Sequence, residues 1–127
     1  LTLSAPPEQN PALYPELIAP RQTDDGIILS LRIPRNLAYF SGHFDQVPIV
    51  PGVVQIQWAV HYAQRYLGLQ AAFSHMEAVK FKELLLPEQH FELSLRYAPQ
   101  ACKLEFRYHS ETREYSSGRI YFHDTSL

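Results

Sequence analysis

Tyr39–Gly68 reads YFSGHFDQVPIVPGVVQIQWAVHYAQRYLG, and its second half decides the architecture. Val53 to Leu67 has helical length, with Pro51 just before its start and Gly68 just after its end, the places where proline and glycine mark a helix's beginning and stop. At about 100° per residue, Gln57, His61, Gln64 and Arg65 fall on one narrow stripe. Nearly all of the remaining circumference is apolar: Val53, Val54, Ile56, Trp58, Ala59, Val60, Tyr62, Ala63, Tyr66 and Leu67. So broad an apolar surface has to be wrapped by protein on most sides, and a sheet curled around the helix does this.

Sequence on either side supplies that sheet. From Asp25, Ile27, Leu29, Leu31 and Ile33 alternate with Ile28, Ser30 and Arg32, the period of two of a half-buried strand, and Pro34 stops it. After the helix, Val79 and Phe81 alternate weakly. Phe91, Leu93, Leu95 and Tyr97 alternate cleanly, then Leu104, Phe106 and Tyr108, and YSSGRIYFHD supplies a last strand. Connections of about five residues suit antiparallel hairpins. Residues 1–23 carry five of the ten prolines and no sustained period, so an irregular arm is expected there, with one turn of helix around Leu13–Ile18. The expectation is one α+β domain over 1–127: one strand, a loop, a long buried helix at about 53–67, then four consecutive strands.

Composition narrows the function. A formal net charge of -2 with scattered Lys and Arg gives no footprint for nucleic acid or an anionic membrane. His61, Gln64 and Arg65 interrupt the longest apolar stretch before the ~18 residues a membrane span needs. A single cysteine, Cys102, allows no internal disulfide, and the histidines show no i, i+4 pair, so no metal is expected. No charged segment followed by an apolar run opens the chain, so no signal peptide is expected, and the reducing cytoplasm is the default compartment.

The order of elements, with GHF in the loop and PGV opening the helix, resembles the hotdog-fold 3-hydroxyacyl-thioester dehydratases. Their signature reads roughly G-H-F-P-x-x-P-x-x-P-G-V, and Gly42, His43, Phe44, Pro48, Pro51, Gly52 and Val53 match it in register, with Asp45 in place of a proline. IPRNLAYFSGHF, VVQIQWA, VKFKELLLP and SSGRIYF are similar to the branch found in aryl-polyene-type lipid pathways. The likeness covers roughly residues 25–122.

The resemblance implies a hotdog fold and removal of water from a 3-hydroxyacyl thioester, carried on an acyl carrier protein or coenzyme A, with no cofactor. His43 is then the base, because imidazole takes and returns a proton near neutral pH. The Gly52 N–H, unpaired at the helix start and backed by the positive end of the dipole, polarises the thioester oxygen; a side chain there would obstruct the ligand's approach. Phe44, Pro51, Val53 and His61 are expected to border the substrate. The family's helix acid comes 14 residues after the histidine, and here that position is Gln57, whose amide has no titratable proton.

Three readings follow. His43 moves the proton alone while Gln57 orients the hydroxyl; His61 or Asp45 supplies the proton; or the site binds acyl thioesters without turning them over. A hotdog thioesterase, and a non-catalytic subunit paired with an active homologue, stand beside the dehydratase. The resemblance also implies a homodimer, with His43 of one chain facing Gln57 of the other. A small curled sheet leaves an unpaired edge, which independently favours pairing.

Overall fold

The computed structural model describes residues 12–40 and 48–124. The chain runs β1 (Glu16–Gln22), β2 (Gly26–Arg32), α1 (Gly52–Leu67), β3 (Phe73–Phe81), β4 (His90–Ala98), β5 (Lys103–His109) and β6 (Glu114–Phe122). All strands join one sheet in the order β1-β2-β4-β5-β6-β3, and every neighbouring pair is antiparallel.

The strand read from the alternation of Ile27, Leu29 and Leu31 is β2, and these three side chains are buried. β4, β5 and β6 form a meander that sends Leu93, Leu95, Leu104, Phe106, Tyr108 and Ile120 to the same core. α1 packs on β2 and β4, burying Val54, Gln55, Trp58, Ala59, Tyr62 and Ala63, which recur at steps of one and four residues and form a single stripe. Gly68 ends the helix with φ 70°, the left-handed conformation glycine adopts without strain, and its N–H donates to the Ala63 carbonyl.

Two expectations are corrected. Residues 16–22 lie within the segment read as irregular, yet they form β1, paired with β2 through a bulge between Leu17 and Ala19. Every residue of β1 is exposed, so no alternation of apolar and polar residues betrays it. Pro20 is tolerated because β1 is an edge strand, where an N–H need not be donated. The second correction concerns β3. It pairs with β6 rather than forming a hairpin with β4, and the Lys82–Gln89 connection instead carries Leu85 into the core beneath the start of α1.

Candidate active site at the start of the helix

The loop entering α1 is fixed by main-chain bonds. Val50 N–H donates to the Leu85 carbonyl at 2.9 Å, and the Val50 carbonyl accepts from Gln55 Nε2 at 3.2 Å. Pro51 is the N-cap at φ −59° and ψ 148°, and it offers no side-chain cap. Its carbonyl accepts from the N–H groups of Val54 (3.1 Å) and Gln55 (3.2 Å). Helix geometry leaves the first N–H groups without intrahelical acceptors, and among the described residues no acceptor takes the N–H of Gly52 or Val53. Both carry the positive end of the helix dipole, which makes this a place for a partly negative oxygen.

Gly52 is required here for a reason the sequence did not reveal. A Cβ at residue 52 would stand 2.6 Å from Phe81 Cζ, so the ring of a β3 residue occupies the space a side chain would take. The expectation that glycine keeps a ligand's path open therefore has a second cause beside it, close packing of Phe81, whose side chain is itself half exposed.

Val53, Gln57 and His61 follow at four-residue intervals on one face of α1, about 6 Å apart along the axis. Val53 and Gln57 are exposed. His61 is half-buried: its ring stacks on Tyr14 with centroids 4.2 Å apart, and Tyr62 meets it edge-on at 5.1 Å. Burial, with the Arg65 guanidinium adding to it, holds the His61 imidazole below its usual range, so it is neutral near pH 7 and a poor proton donor. Pro51 and Gly52 are half-buried at the helix entrance. His43, Phe44 and Asp45 lie outside the described residues.

Sequence reading missed three residues that the structure gathers beneath this entrance. Gln55 is 3 % exposed; its Oε1 accepts from Ser116 Oγ at 2.6 Å, and its main-chain carbonyl accepts from the Tyr108 hydroxyl at 2.6 Å. Burial, with Tyr62 adding to it, pushes the Tyr108 hydroxyl well above its usual range, so it stays protonated and donates. One signal was available. Gln55 lies about 200° around the helix from Gln57, on the face that must be buried, where an amide needs partners. Which partners was hidden, because Tyr108 and Ser116 are 53 and 61 residues away.

Compared with known families, residues 19–119 match the ApeI-like family model, described as ApeI dehydratase. This chain belongs to the ApeI-like dehydratase family. The ApeI-like chain is 28 % identical over 100 residues, 71 % of each partner, to a 3-hydroxyacyl-[acyl-carrier-protein] dehydratase FabZ of Streptococcus equi subsp. zooepidemicus. It is 29 % identical over 96 residues to the FabZ of Clostridium botulinum, covering 65 % of this chain and 68 % of that one.

Among solved structures, a chain of the dehydratase heterocomplex ApeI:P from Xenorhabdus doucetiae matches with a TM-score of 0.78 and 34 % identity, covering 85 % of this chain and 96 % of that one. An uncharacterized protein of Erwinia carotovora subsp. atroseptica matches with a TM-score of 0.76 and 31 % identity, covering 87 % and 96 %. The six-stranded antiparallel sheet curled on one helix is thus the hotdog fold of ApeI-like dehydratases. Among the described residues no cluster of metal-binding side chains occurs. No helix of the described residues is long and apolar enough to cross a membrane.

Proposed function

We propose that this protein removes water from 3-hydroxyacyl thioesters, most suitably those borne on an acyl carrier protein, to give trans-2-enoyl thioesters in fatty-acid or polyene-type lipid synthesis. The observation that carries the reading is the Gly52 N–H, without an acceptor among the described residues at the head of a helix buried along one face, in a chain of a dehydratase family. The thioester oxygen accepts from that N–H, and the resulting polarisation acidifies the Cα proton. His43 takes the proton, the C3–O bond breaks as the C2–C3 double bond forms, and the imidazolium returns the proton to the departing oxygen, which leaves as water. No net proton is gained or lost. Gln57 hydrogen-bonds the hydroxyl but supplies no proton, so turnover is slower than with a carboxylic acid, for which a general acid is typically worth about 10²–10⁴-fold.

A second copy completes the site in this reading. Gln57 and Val53 are exposed on the protomer, and β3 is an edge strand with Phe73, Met76 and Phe81 all exposed. Pairing at that edge sets His43 of one chain against Gln57 of the other, in a cytoplasmic dimer. The replacement of the helix acid by Gln57 favours one alternative, an acyl-thioester-binding subunit that pairs with an active homologue.

One assay separates the two. The protein is incubated with a 3-hydroxyacyl-carrier protein while the absorbance of the conjugated enoyl thioester is followed. The dehydratase reading expects measurable turnover in the native chain, loss of it in His43→Ala, and a gain of at least about tenfold in Gln57→Glu. A folded native chain without turnover, alongside an active Gln57→Glu variant, establishes the binding subunit instead.

A further inference from the structure

Gln55 places a polar side chain where packing asks for an apolar one. It belongs to the buried stripe of α1 with Val54, Trp58 and Ala59. Taking an amide out of water is unfavourable unless its hydrogen bonds are replaced, and a methionine would fill the same space without that cost. Each polar atom of the amide has a partner: Nε2 donates to the Val50 carbonyl at 3.2 Å, and Oε1 accepts from Ser116 Oγ at 2.6 Å. No buried side-chain nitrogen or oxygen among the described residues lacks a partner.

What these bonds hold is specific. The Gly52 N–H shares its peptide plane with the Pro51 carbonyl, and that carbonyl accepts the main-chain N–H of Gln55. The plane before it carries the Val50 carbonyl, which accepts the side-chain amide of the same Gln55. Between the two planes, the Pro51 ring locks φ. One residue thus grips both consecutive peptide planes that lead into the Gly52 N–H, the first with its side chain and the second with its backbone. Ser116 from β6 and the Tyr108 hydroxyl from β5 anchor Gln55 itself to the sheet.

We propose that Gln55, seated on Ser116, is the positioning residue that aims the Gly52 N–H at the thioester oxygen. The inference rests on the reading above, that an acyl thioester binds at Gly52. Gln55 touches no reacting atom. Its effect is on the direction of a donor whose removal in comparable sites costs about 10²–10³-fold, so misdirecting the donor costs less, about tenfold.

Gln55→Met and Gln55→Glu test this, with circular dichroism used to confirm folding and kinetic constants referred to folded protein. Gln55→Met lowers kcat about tenfold while KM stays within about twofold. In Gln55→Glu the protonated carboxyl reproduces one donor and one acceptor, whereas the ionised carboxylate repels the Val50 carbonyl. Its kcat is therefore close to native at low pH and falls as pH rises, through an ionisation the native enzyme does not show. A merely structural role leaves kcat per folded molecule unchanged and adds no such ionisation.

A readout independent of turnover comes from selective ¹⁵N-glycine labelling, since the chain has five glycines. The Gly52 amide resonance moves in Gln55→Met. Titration with a 3-hydroxyacyl pantetheine thioether shifts the Gly52 resonance in the native chain and less in Gln55→Met. An unmoved Gly52 resonance and an equal response to the thioether in both proteins overturn the proposal. Should the native chain bind the thioether at Gly52 but fail to dehydrate, the dehydratase reading falls, and the two titrations still decide the role of Gln55.

Discussion

The Phe81 ring lies against Gly52 so closely that a methyl group there would come within 2.6 Å of Cζ. An edge-strand side chain thus sets the identity of the first helical residue. Alanine at that position has better helix propensity, so any loss of stability in Gly52→Ala measures displacement of the ring. The expected loss is about 1–2 kcal/mol, the ordinary cost of overpacking where a half-exposed neighbour can partly yield. Urea denaturation of Gly52→Ala in the native and Phe81→Ala backgrounds checks it: the cost shrinks by more than half once the ring is gone. An equal cost in both backgrounds means that something other than Phe81 excludes a side chain.

The helix and the four strands with buried faces, β2, β4, β5 and β6, were legible in the sequence because burial imposes a period, whereas β3, which buries no residue fully, showed only a weak one. Leu93 and Leu95, or Trp58 and Tyr62, alternate or recur as their neighbours dictate. β1 was not legible, since a strand exposed throughout has no such pattern and Pro20 argues against it. Strand order was equally hidden: nothing local to Phe73–Phe81 says that β6 rather than β4 is its neighbour. At the site, the motif marked Gly52 and Gln57 correctly on the helix. The bonds that anchor Gln55 beneath Gly52 come from Tyr108 and Ser116, and Phe81 packs on Gly52 from β3, so these contacts follow from tertiary closure alone.

His61 is covered by Tyr14, whose ring stacks on it at 4.2 Å. Removing the stack readmits water and relieves the burial that lowers the imidazole's proton affinity. In Tyr14→Ala the His61 titration therefore moves up towards the ordinary histidine value of about 6.5, followed through its ring carbon-bound proton by NMR. Arg65→Gln moves it the same way by a smaller amount, because burial is the larger cause. A titration that stays put in Tyr14→Ala refutes the covering role of Tyr14.

β3 exposes Phe73 and Met76 along a sheet edge, a surface whose unpaired strand invites a second strand. If the proposed dimer forms there, a charge placed on that strand is buried without a partner in the assembly but solvated in the protomer. Met76→Glu is expected to weaken self-association at least about tenfold while leaving the protomer folded, since a buried unpaired charge costs several kcal/mol. Sedimentation velocity across a concentration series measures this. A dimer of undiminished strength places the interface elsewhere.

His109 gives the fold a dependence on pH whose sign can be worked out. On the outer face of β5 its Nε2 lies 2.7 Å from Ser94 Oγ, a hydrogen bond whose donor depends on the ring's tautomer. Burial, with Arg107 adding to it, lowers the proton affinity of His109, against the opposing carboxylates of Glu92 and Glu114. The unfolded chain therefore takes up the proton first as pH falls. The stability contributed is complete above the unfolded value of about 6.5 and is lost as pH falls from there through the lower folded value. His61 is shifted in the same direction and contributes to the same loss. Urea midpoints measured between about pH 7.5 and 5.5 are expected to decline in the native chain and to decline less in His109→Gln, which has no proton to take up in that window. Parallel declines in the two proteins show that His109 is not responsible.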